Sequence, residues 1–382
     1  MRVVCSQKYC VVTTHVSWHL RQVKKAVTNM SDHSTYRRRD TFRSRSSASR
    51  MQAMILLLIS LGALACKGSE SFVSADSGSG EWKKTSESIY QGLSALMSID
   101  SILVAGTFGG GVFFTTDNGA NWTPANDGLT GNGLDIRCLV LKGTDLFVGT
   151  DGDGVYRTSV DSKVWQKVSN GLPTDTIASE SDTTIFTRIF GIGITGGVVL
   201  AGTADWHGLY RFNDNGQNWT PSGLQGECVT SFGGSHDLLF AGTCGEGGIH
   251  LSTDNGLNWR VSLGGEVTNA FAEINPISFA ATNHGVFRTV DSGKTWKQVS
   301  QGLPKKAITA IAITDSILFT GGQDMGVYYS TNGGENWKRF DPGLPKNVTV
   351  YALAVHNKKI FAGTHHDGVW QRDVSDVLKQ NH

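Results

Sequence analysis

Five acidic side chains recur in short loops along this 382-residue chain, at Asp153, Asp205, Glu246, Asp324 and Asp367. Carboxylates are the groups that hydrolyse glycosidic bonds, and the reaction requires two of them facing each other at about 5 or about 6.5–9.5 Å. No spacing in the sequence selects one pair from the five. We therefore predict that these carboxylates bind a ligand, and glycoside hydrolysis stays open as the alternative.

Imidazole and indole side chains occupy the same kind of loop. Adjacent histidines in a short loop usually point apart, and none of the ordinary zinc spacings is present. Asp151-Gly-Asp153 begins like a calcium loop but lacks the later acidic ligand. We therefore predict no metal ion and no cofactor, and assign these residues to ligand binding: Trp206, His207, His284, His365 and His366.

Few cysteines lie in the repetitive part of the chain. Cys228 opens one strand and Cys244 closes the next, so a hairpin would bring them opposite one another. In an oxidising compartment this placement favours a disulfide. Cys138 is predicted to be a buried free thiol in a strand, at the position that is Ser231 or Ala310 in other repeats.

The elements that carry these residues come from one unit written seven times. A hydrophobic pair followed by Gly-Thr recurs from Val104-Ala-Gly-Thr107 to Phe361-Ala-Gly-Thr364. Gly-Val-aromatic, as in Gly111-Val-Phe113, or a variant of it, as in Gly248-Ile-His250, follows in each unit. In every unit but the last, a turn ending in tryptophan comes next, as in Ser252-Thr-Asp-Asn-Gly-Leu-Asn-Trp259. A period of about 42 residues is typical of propeller blades.

This turn resembles the Asp-box, Ser/Thr-x-Asp-x-Gly-x-x-Trp, of the BNR-repeat propellers of sialidases, sortilin-type receptors, xyloglucanases and photosystem II assembly factors. The aspartate and hydroxyl fold the turn, the glycine adopts positive φ and the tryptophan packs between sheets, so the boxes are predicted to be structural. Phe212 and Asn332 make two boxes partial, and the box around Thr158–Trp165 is degenerate. The residues assigned this role are Asp117, Gly119, Trp122, Asp214, Gly216, Trp219, Asp254, Gly256, Trp259, Asp291, Gly293, Trp296, Gly334 and Trp337.

The resemblance implies an all-β, seven-bladed propeller of four-stranded antiparallel blades over residues 81–375, with a tail at 376–382. The strand that starts at Trp82 has no unit before it, and the last unit, ending at Asp373, has only three strands. We therefore predict that the N-terminal strand completes the last blade, which removes the exposed edges of an open array.

In such a blade the loops between the second and third strands share one face with the links between blades, while the Asp-boxes lie on the opposite face. The first face, called the loop face below, is predicted to bind the ligand because loops on a rigid scaffold usually carry recognition. One blade-to-blade link is longer than the others, with its excess at 174–185. It is either a lid or recognition element, or a neutral solvated insertion.

A sialidase-like mechanism would imply three converging arginines and a Tyr–Glu pair. Arg157, Arg211 and Arg288 instead share one position of the third strand, which predicts an outer-surface column. Arg188 lacks the proline that follows the arginine in that family's Arg-Ile-Pro element, and we assign it to the ligand-binding face.

The first 65 residues differ from the repeats. Residues 1–53 form a basic leader predicted to be disordered, 54–65 resemble a signal-peptide apolar region, and 66–80 form a Ser/Gly linker. This layout predicts export and suggests translation from Met30 or Met51. Ala63-Leu-Ala-Cys66 resembles a bacterial lipoprotein box, so Cys66 is either lipidated, giving a membrane tether, or simply follows a cleavage site.

The formal charge of +1 hides two opposite parts. The 11 basic and two acidic residues before position 66 leave a remainder with 23 basic and 31 acidic residues, a net charge of −8. An acidic body argues against nonspecific nucleic-acid binding, which depends on neutralising phosphates. The sequence predicts a monomeric, periplasmic, secreted or outer-membrane noncatalytic propeller that binds a protein or carbohydrate, with a xyloglucanase- or sialidase-like hydrolase as the alternative.

Overall fold

Short β-strands dominate the part of the chain that the structure, a computed structural model, describes: residues 80–89, 91–177, 183–212, 218–234 and 238–379, without the side chains of 175–177 and 183–185. The predictions for the leader, the apolar region, the linker before Gly80 and Cys66 lie outside these residues, as do Asp214 and Gly216. No helix among the described residues is long and apolar enough to cross a membrane.

Seven four-stranded antiparallel sheets follow one another along the chain, and the first of them begins after a short strand β1 (Lys83–Lys84). Blades 1 to 3 comprise β2 (Leu93–Ile99), β3 (Ile102–Thr107), β4 (Gly111–Thr115), β5 (Thr123–Pro124); β6 (Ile136–Lys142), β7 (Asp145–Thr150), β8 (Val155–Ser159), β9 (Gln166–Lys167); and β12 (Ile189–Thr195), β13 (Val198–Thr203), β14 (Leu209–Phe212), β15 (Trp219–Gly223). The link between blades 2 and 3 forms its own antiparallel hairpin, β10 (Thr174–Ile177) and β11 (Thr183–Phe186).

The remaining blades repeat the same order. Blades 4 to 7 comprise β16 (Val229–Gly233), β17 (Leu239–Thr243), β18 (Ile249–Ser252), β19 (Arg260–Leu263); β20 (Thr268–Ile274), β21 (Ile277–Thr282), β22 (Gly285–Thr289), β23 (Lys297–Gln298); β24 (Ile308–Thr314), β25 (Ile317–Gly322), β26 (Gly326–Ser330), β27 (Lys338–Arg339); and β28 (Val350–His356), β29 (Lys359–Thr364), β30 (Val369–Asp373).

The seven innermost strands close into a ring. Each one, from β2 through β6, β12, β16, β20 and β24 to β28, contacts the next, and β28 contacts β2. Strand β1 pairs with β30, with Lys83 opposite Gln371, so the N-terminal strand is the fourth strand of blade 7. The predicted seven-bladed, all-β propeller and its closure are both confirmed.

Buried indole rings connect the blades around this ring. Each donates its N–H to the outer edge of the preceding blade, as Trp165 does to the carbonyl of Ala125 at 2.7 Å and Trp337 to that of Val299 at 2.7 Å. Trp82 takes this role for blade 7 and bonds the carbonyl of Phe340. The closing strand therefore contributes an interface contact of the same kind as the internal repeats.

The Asp-box turns are held by local hydrogen bonds. In blade 4, Ser252 Oγ donates to Asp254 at 2.8 Å, and the backbone N–H of Asn258 donates to the same carboxylate oxygen at 2.8 Å. In blade 6, Asn332 replaces the aspartate and makes the same two bonds, with Ser330 at 2.9 Å and Asn336 at 3.0 Å. The turn therefore needs an acceptor oxygen at this position but does not need a charge.

This comparison gives a pH prediction. Hydrogen bonds from Asn258 and Ser252 lower the pKa of Asp254 to about 2 from 3.8, so its ionised form contributes stability above pH 3.8 that is lost as the pH falls through about 2. We expect Asp254→Asn to keep the melting temperature at pH 7 and to lose less of it at pH 2 than the wild type. Asp254→Ala should lower it at pH 7.

Thermal melts at pH 2 to 7 measure this. Asn332 serves as the internal control, because its replacement by Ala should lower the melting temperature equally at both ends of the range. An equal loss for Asp254→Asn and Asp254→Ala at pH 7 would contradict the account of the turn.

The segment predicted as a tail starts with a helical turn, α1 (Asp376–Lys379), in which Asp376 and Val377 are buried. Arg372 at the end of β30 bonds Asp376 at 3.3 Å and the carbonyl of Phe340 at 3.3 Å. Its guanidinium carbon lies 3.7 Å from the centre of the Phe340 ring. This contact joins blade 7 to blade 6 beside Trp82.

Candidate functional site

Every innermost strand carries a β-bulge at its second residue, at the loop-face end of the channel. Strand pairing skips this residue in all seven blades, for example between Ile136 and Cys138. A bulge redirects the side chain of the extra residue, and bulges are common beside functional sites. The bulged residues are Ser94, Arg137, Phe190, Thr230, Asn269, Thr309 and Tyr351.

The seven bulged side chains fall into two groups. In blades 4 to 6 they are small, buried and bonded to the next blade, as Thr230 is to the carbonyl of Thr268 at 2.6 Å and Asn269 to that of Ile308 at 2.7 Å. In blades 7, 2 and 3 they are the large side chains of Tyr351, Arg137 and Phe190. Ser94 of blade 1 is small and buried like the first group, and among the large side chains Phe190 is buried whereas Arg137 and Tyr351 are partly exposed.

Two arginines and three carboxylates meet beside these large side chains, and we call them the Arg137 cluster: Asp135, Arg137, Asp151, Arg188 and Asp205. Arg137 Nη2 bonds Asp151 and lies 3.6 Å from Asp135. Arg188 pairs with Asp205 through both Nε, at 3.0 Å, and Nη2, and its Nε lies 3.9 Å from Asp151. The cluster extends over blades 2 and 3. In it, carboxylates that accept hydrogen bonds alternate with guanidinium groups that donate them.

Four aromatic side chains lie beside the Arg137 cluster: Tyr351 and His365 of blade 7, Phe108 of blade 1 and Phe190 of blade 3. The centre of the Phe108 ring is 4.9 Å from the Arg137 guanidinium, 5.7 Å from the Tyr351 ring and 6.3 Å from the His365 ring. Phe190 lies beneath both arginines, at 5.4 Å from Arg137 and 5.5 Å from Arg188. We call these four side chains the aromatic row.

The carboxyls of the cluster differ in acidity. Burial raises the pKa of Asp135 to about 6, which the positive charge of Arg137 opposes and the charge of Asp151 reinforces. Burial also disfavours ionisation of Asp205, but hydrogen bonds from Arg188 and Thr187 outweigh it and lower the pKa of this carboxyl. At neutral pH both are ionised, and Asp135 is the one closest to its titration point.

Several buried polar atoms around blades 1 and 2 have no hydrogen-bond partner among the described residues: Gln91 Oε1, Ser94 Oγ, Asp135 Oδ1 and Asp151 Oδ1. Ser94 is fully buried at the bulge between Tyr351 and Arg137. A buried polar atom without a partner costs about 1–3 kcal/mol.

A disulfide between Cys228 and Cys244 supports the floor of this site. The two cysteines lie just before β16 and just after β17, and the backbone N–H of Cys244 donates to the carbonyl of Cys228 at 2.9 Å. Phe190, Ala204 and Cys228 form a small buried cluster against which Cys244 packs. The disulfide therefore packs beside Phe190, whose ring lies near the guanidinium groups of Arg137 and Arg188.

Comparison with protein families matches residues 328–339 to the BNR/Asp-box repeat. These residues include the Asn332 turn of blade 6, whose hydrogen bonds repeat those of the other boxes. The chain folds as a seven-bladed β-propeller whose turns include Asp-boxes. Comparison with curated proteins finds no match.

Solved structures share this fold at low sequence identity. YCF48 from Cyanidioschyzon merolae is 15% identical with a TM-score of 0.59, over 77% of this chain and 99% of that one. The GH74 enzyme of Niastella koreensis is 13% identical with a TM-score of 0.57, over 76% and 53%. The extracellular domain of a protein described as a one-component system from B. thetaiotaomicron is 17% identical with a TM-score of 0.58, over 76% and 40%. The Asp-box propeller thus spans about half or less of the last two, and these likenesses show the fold alone.

The structure brings together some of the residues that the sequence assigned to ligand binding. Arg188 and Asp205 lie in the Arg137 cluster, and His365 lies in the aromatic row, where burial and then His366 lower its pKa. The centres of the His365 and His366 rings are 3.7 Å apart. The expectation that these rings point apart is therefore wrong, because both fold over the same short loop. Trp206 follows Asp205, has φ 63° and is 51% exposed.

Other predicted residues have local partners away from the cluster. Asp153 bonds Tyr156 and Lys167 toward the rim of blade 2. His284 bonds Glu266 at 3.0 Å in blade 5, and Asp324 accepts from Thr349 at 3.1 Å. His207 is half-buried, and Glu246 and Asp367 are exposed on their loops. Among the residues that the structure describes, no group of three or more His, Cys, Asp or Glu side chains could hold a metal ion.

Sequence reasoning missed Asp135, Arg137, Phe190 and Tyr351. A signal for three of them was present, because the second residue of the innermost strand is the position at which the repeats change from Ser and Thr to Arg, Phe and Tyr. Without the bulge, strand alternation gave no reason to expect that these side chains face the channel mouth.

Proposed function

We propose that this protein is an exported, noncatalytic binding propeller that recognises a glycan on its loop face. The observation that supports this most is the continuous surface formed by the aromatic row and the Arg137 cluster, which extends over four consecutive blades. The ligand would lie across the channel mouth, from His365 in blade 7 to Asp205 in blade 3.

The chemistry of this surface suits a sugar. A pyranose presents C–H faces that pack on aromatic rings, and hydroxyls that both donate and accept hydrogen bonds. Phe108, Tyr351 and the exposed Trp206 supply rings, and the arginine–carboxylate pairs supply donors and acceptors fixed by their mutual bonds. The ion pairs leave no unbalanced positive charge on the arginines, so a neutral polyhydroxyl ligand fits better than a phosphate.

The hairpin of β10 and β11 is part of this proposal. The backbone N–H of Phe186, at its end, donates to the carbonyl of Gly152 at 3.2 Å, and Arg188 follows two residues later. The insertion is thus tied to the blade 2 loop beside the cluster. We assign it as a recognition element at the edge of the site.

Glycan-array binding tests the proposal. We expect the purified propeller to bind a defined subset of glycans and Arg188→Ala to lose this binding by about tenfold or more, since hydrogen bonds to a charged group contribute about 1.5–3 kcal/mol. Arg260→Ala, which removes an exposed arginine from β19 of blade 4, is the matched control and should bind as the wild type does. If the propeller binds no glycan and its loop face captures a protein, the glycan proposal is contradicted and the ligand is a protein.

Glycoside hydrolysis is the second candidate, and one observation favours it. Asp135 and Asp151 both lie within 4 Å of Arg137 Nη2, and the pKa of Asp135 is raised to about 6. An acid with a raised pKa beside an ionised carboxylate is the arrangement used by glycosidases. Release of reducing sugar from an array-positive glycan, abolished in Asp135→Asn, would establish this function in place of simple binding.

A further inference from the structure

The opposite end of the channel contains a cavity of about 280 Å³ that the loop-face site does not use. Its walls come from the last residues of innermost strands in five blades, β2, β6, β12, β16 and β20. The lining includes Met97, Val140, Ile194, Phe232, Phe271 and Glu273. This volume lies near the lower limit of about 300 Å³ for small-molecule sites in proteins.

Most side chains in the walls are apolar, and the two ionisable ones are Glu273 and Lys142. Met97, Val140, Phe232 and Phe271 are all buried. Glu273 places a carboxyl among them, and its Oε1 accepts the backbone N–H of Gly234 in the neighbouring blade. A carboxylate in such surroundings is costly unless a cation pairs with it.

Few charges of the surrounding strands face this carboxyl. Strands β16, β17, β21 and β24, which pack against β20, contain no ionisable residue, and Glu273 is the one ionisable residue of β20. His236 and Asp237, in the turn after Gly234, lie outside the described residues. Lys142, at the end of β6, lines the cavity on another side. Asp315 lies in the turn that follows β24.

We propose that this cavity binds a small apolar molecule that carries an ammonium group, with the ammonium on Glu273 and the apolar body against Met97, Phe232 and Phe271. The ligand is therefore an alkyl or arylalkyl amine. The aromatic faces of Phe232 and Phe271 favour a cation nearby as well as an apolar group. This site is separate from the loop face and does not depend on the function proposed there.

The acidity of Glu273 supports this assignment and sets the pH dependence. Burial raises its pKa to about 7, opposed by the hydrogen bond from Gly234. The amine binds the ionised carboxylate, so binding at neutral pH releases a proton. Affinity should therefore rise as the pH increases through about 7, and fall by about fivefold from pH 7 to pH 6 and by about tenfold for each further unit.

Isothermal titration with benzylammonium tests the proposal, with benzyl alcohol as the uncharged analogue. We expect benzylammonium to bind about fivefold more weakly at pH 6 than at pH 7, because the ionised fraction of Glu273 falls by about that factor, and benzyl alcohol to show no such loss. Titrations in phosphate and in Tris should give different apparent enthalpies, because protons are released to the buffer.

Glu273→Gln should lose benzylammonium affinity by about tenfold or more and lose the pH dependence, while it keeps its weak binding of benzyl alcohol, which reports an intact cavity. Glu87→Gln, which removes an exposed carboxyl, is the matched control and should behave as the wild type. Equal benzylammonium affinity in wild type and Glu273→Gln, or no binding of benzylammonium at pH 8, would overturn the proposal.

Discussion

A chain that begins at Gln91 is expected to lose cooperative folding and to aggregate, whereas a chain that begins at Gly80 should unfold in a single cooperative transition. The shorter chain lacks β1, so the edge of β30 is left unpaired. It also lacks Trp82, which is buried between blades 6 and 7. Loss of a buried tryptophan alone costs about 3–5 kcal/mol, and unfolding free energies are typically about 5–15 kcal/mol.

Ring closure makes the loss larger than that of one side chain. Thr85, just after β1, also accepts the indole N–H of Trp122 in blade 1 at 3.3 Å, so removal of the segment breaks the contacts on both sides of blade 7. Circular dichroism melts and size-exclusion chromatography of the two chains measure the effect. A cooperative, soluble chain starting at Gln91 would show that the ring does not depend on its closing strand.

Asp376→Ala is expected to lower the free energy of unfolding by about 3–5 kcal/mol, the range measured when one partner of a buried ion pair is removed. The side chains of Arg372 and Asp376 are only 1% and 4% exposed. Without the carboxylate, the Arg372 guanidinium stays buried against the Phe340 ring and loses its hydrogen-bonded counter-ion, although the charges of Glu81 and Asp341 still act on it. Urea denaturation measures the change.

The exposed pair of Lys84 and Glu87 is the control for this prediction. Its oxygen and nitrogen are 2.6 Å apart, yet the Glu87 side chain is 81% exposed, so Glu87→Ala should cost less than about 1 kcal/mol. Similar losses for Asp376→Ala and Glu87→Ala would mean that α1 does not contribute to closing the ring.

The repeat alone was enough to predict the fold. In blade 6 the apolar runs Thr309–Ile313 and Ile317–Thr320 lie within β24 and β25. Hydrophobic alternation and turn glycines specify such elements locally. Closure by the strand at Trp82 was equally predictable. The chain starts with a strand that belongs to no blade and ends with a blade that lacks its fourth strand, so the two are expected to pair.

The site was predictable only in part. Loop position identified Arg188, Asp205 and His365, since these lie between repeated strands. Arg137 and Phe190 lie inside a strand, and only the bulge between Ile136 and Cys138, or its equivalent, turns such a side chain toward the channel mouth. The helical turn at Asp376 was also missed, because a four-residue helix has no periodicity to detect.

Recognition of a glycan by the loop face is tested by calorimetric titration. A glycan that binds on the array is titrated into wild type and Arg188→Ala, and the two affinities are compared. We expect one site per chain, about a tenfold or greater loss of affinity in Arg188→Ala, and Arg260→Ala equal to wild type; Arg188→Ala should still unfold cooperatively, at a lower melting temperature because Asp205 loses its partner. The same affinity in wild type and Arg188→Ala would contradict recognition by the loop face, because the ligand would then not contact the Arg137 cluster.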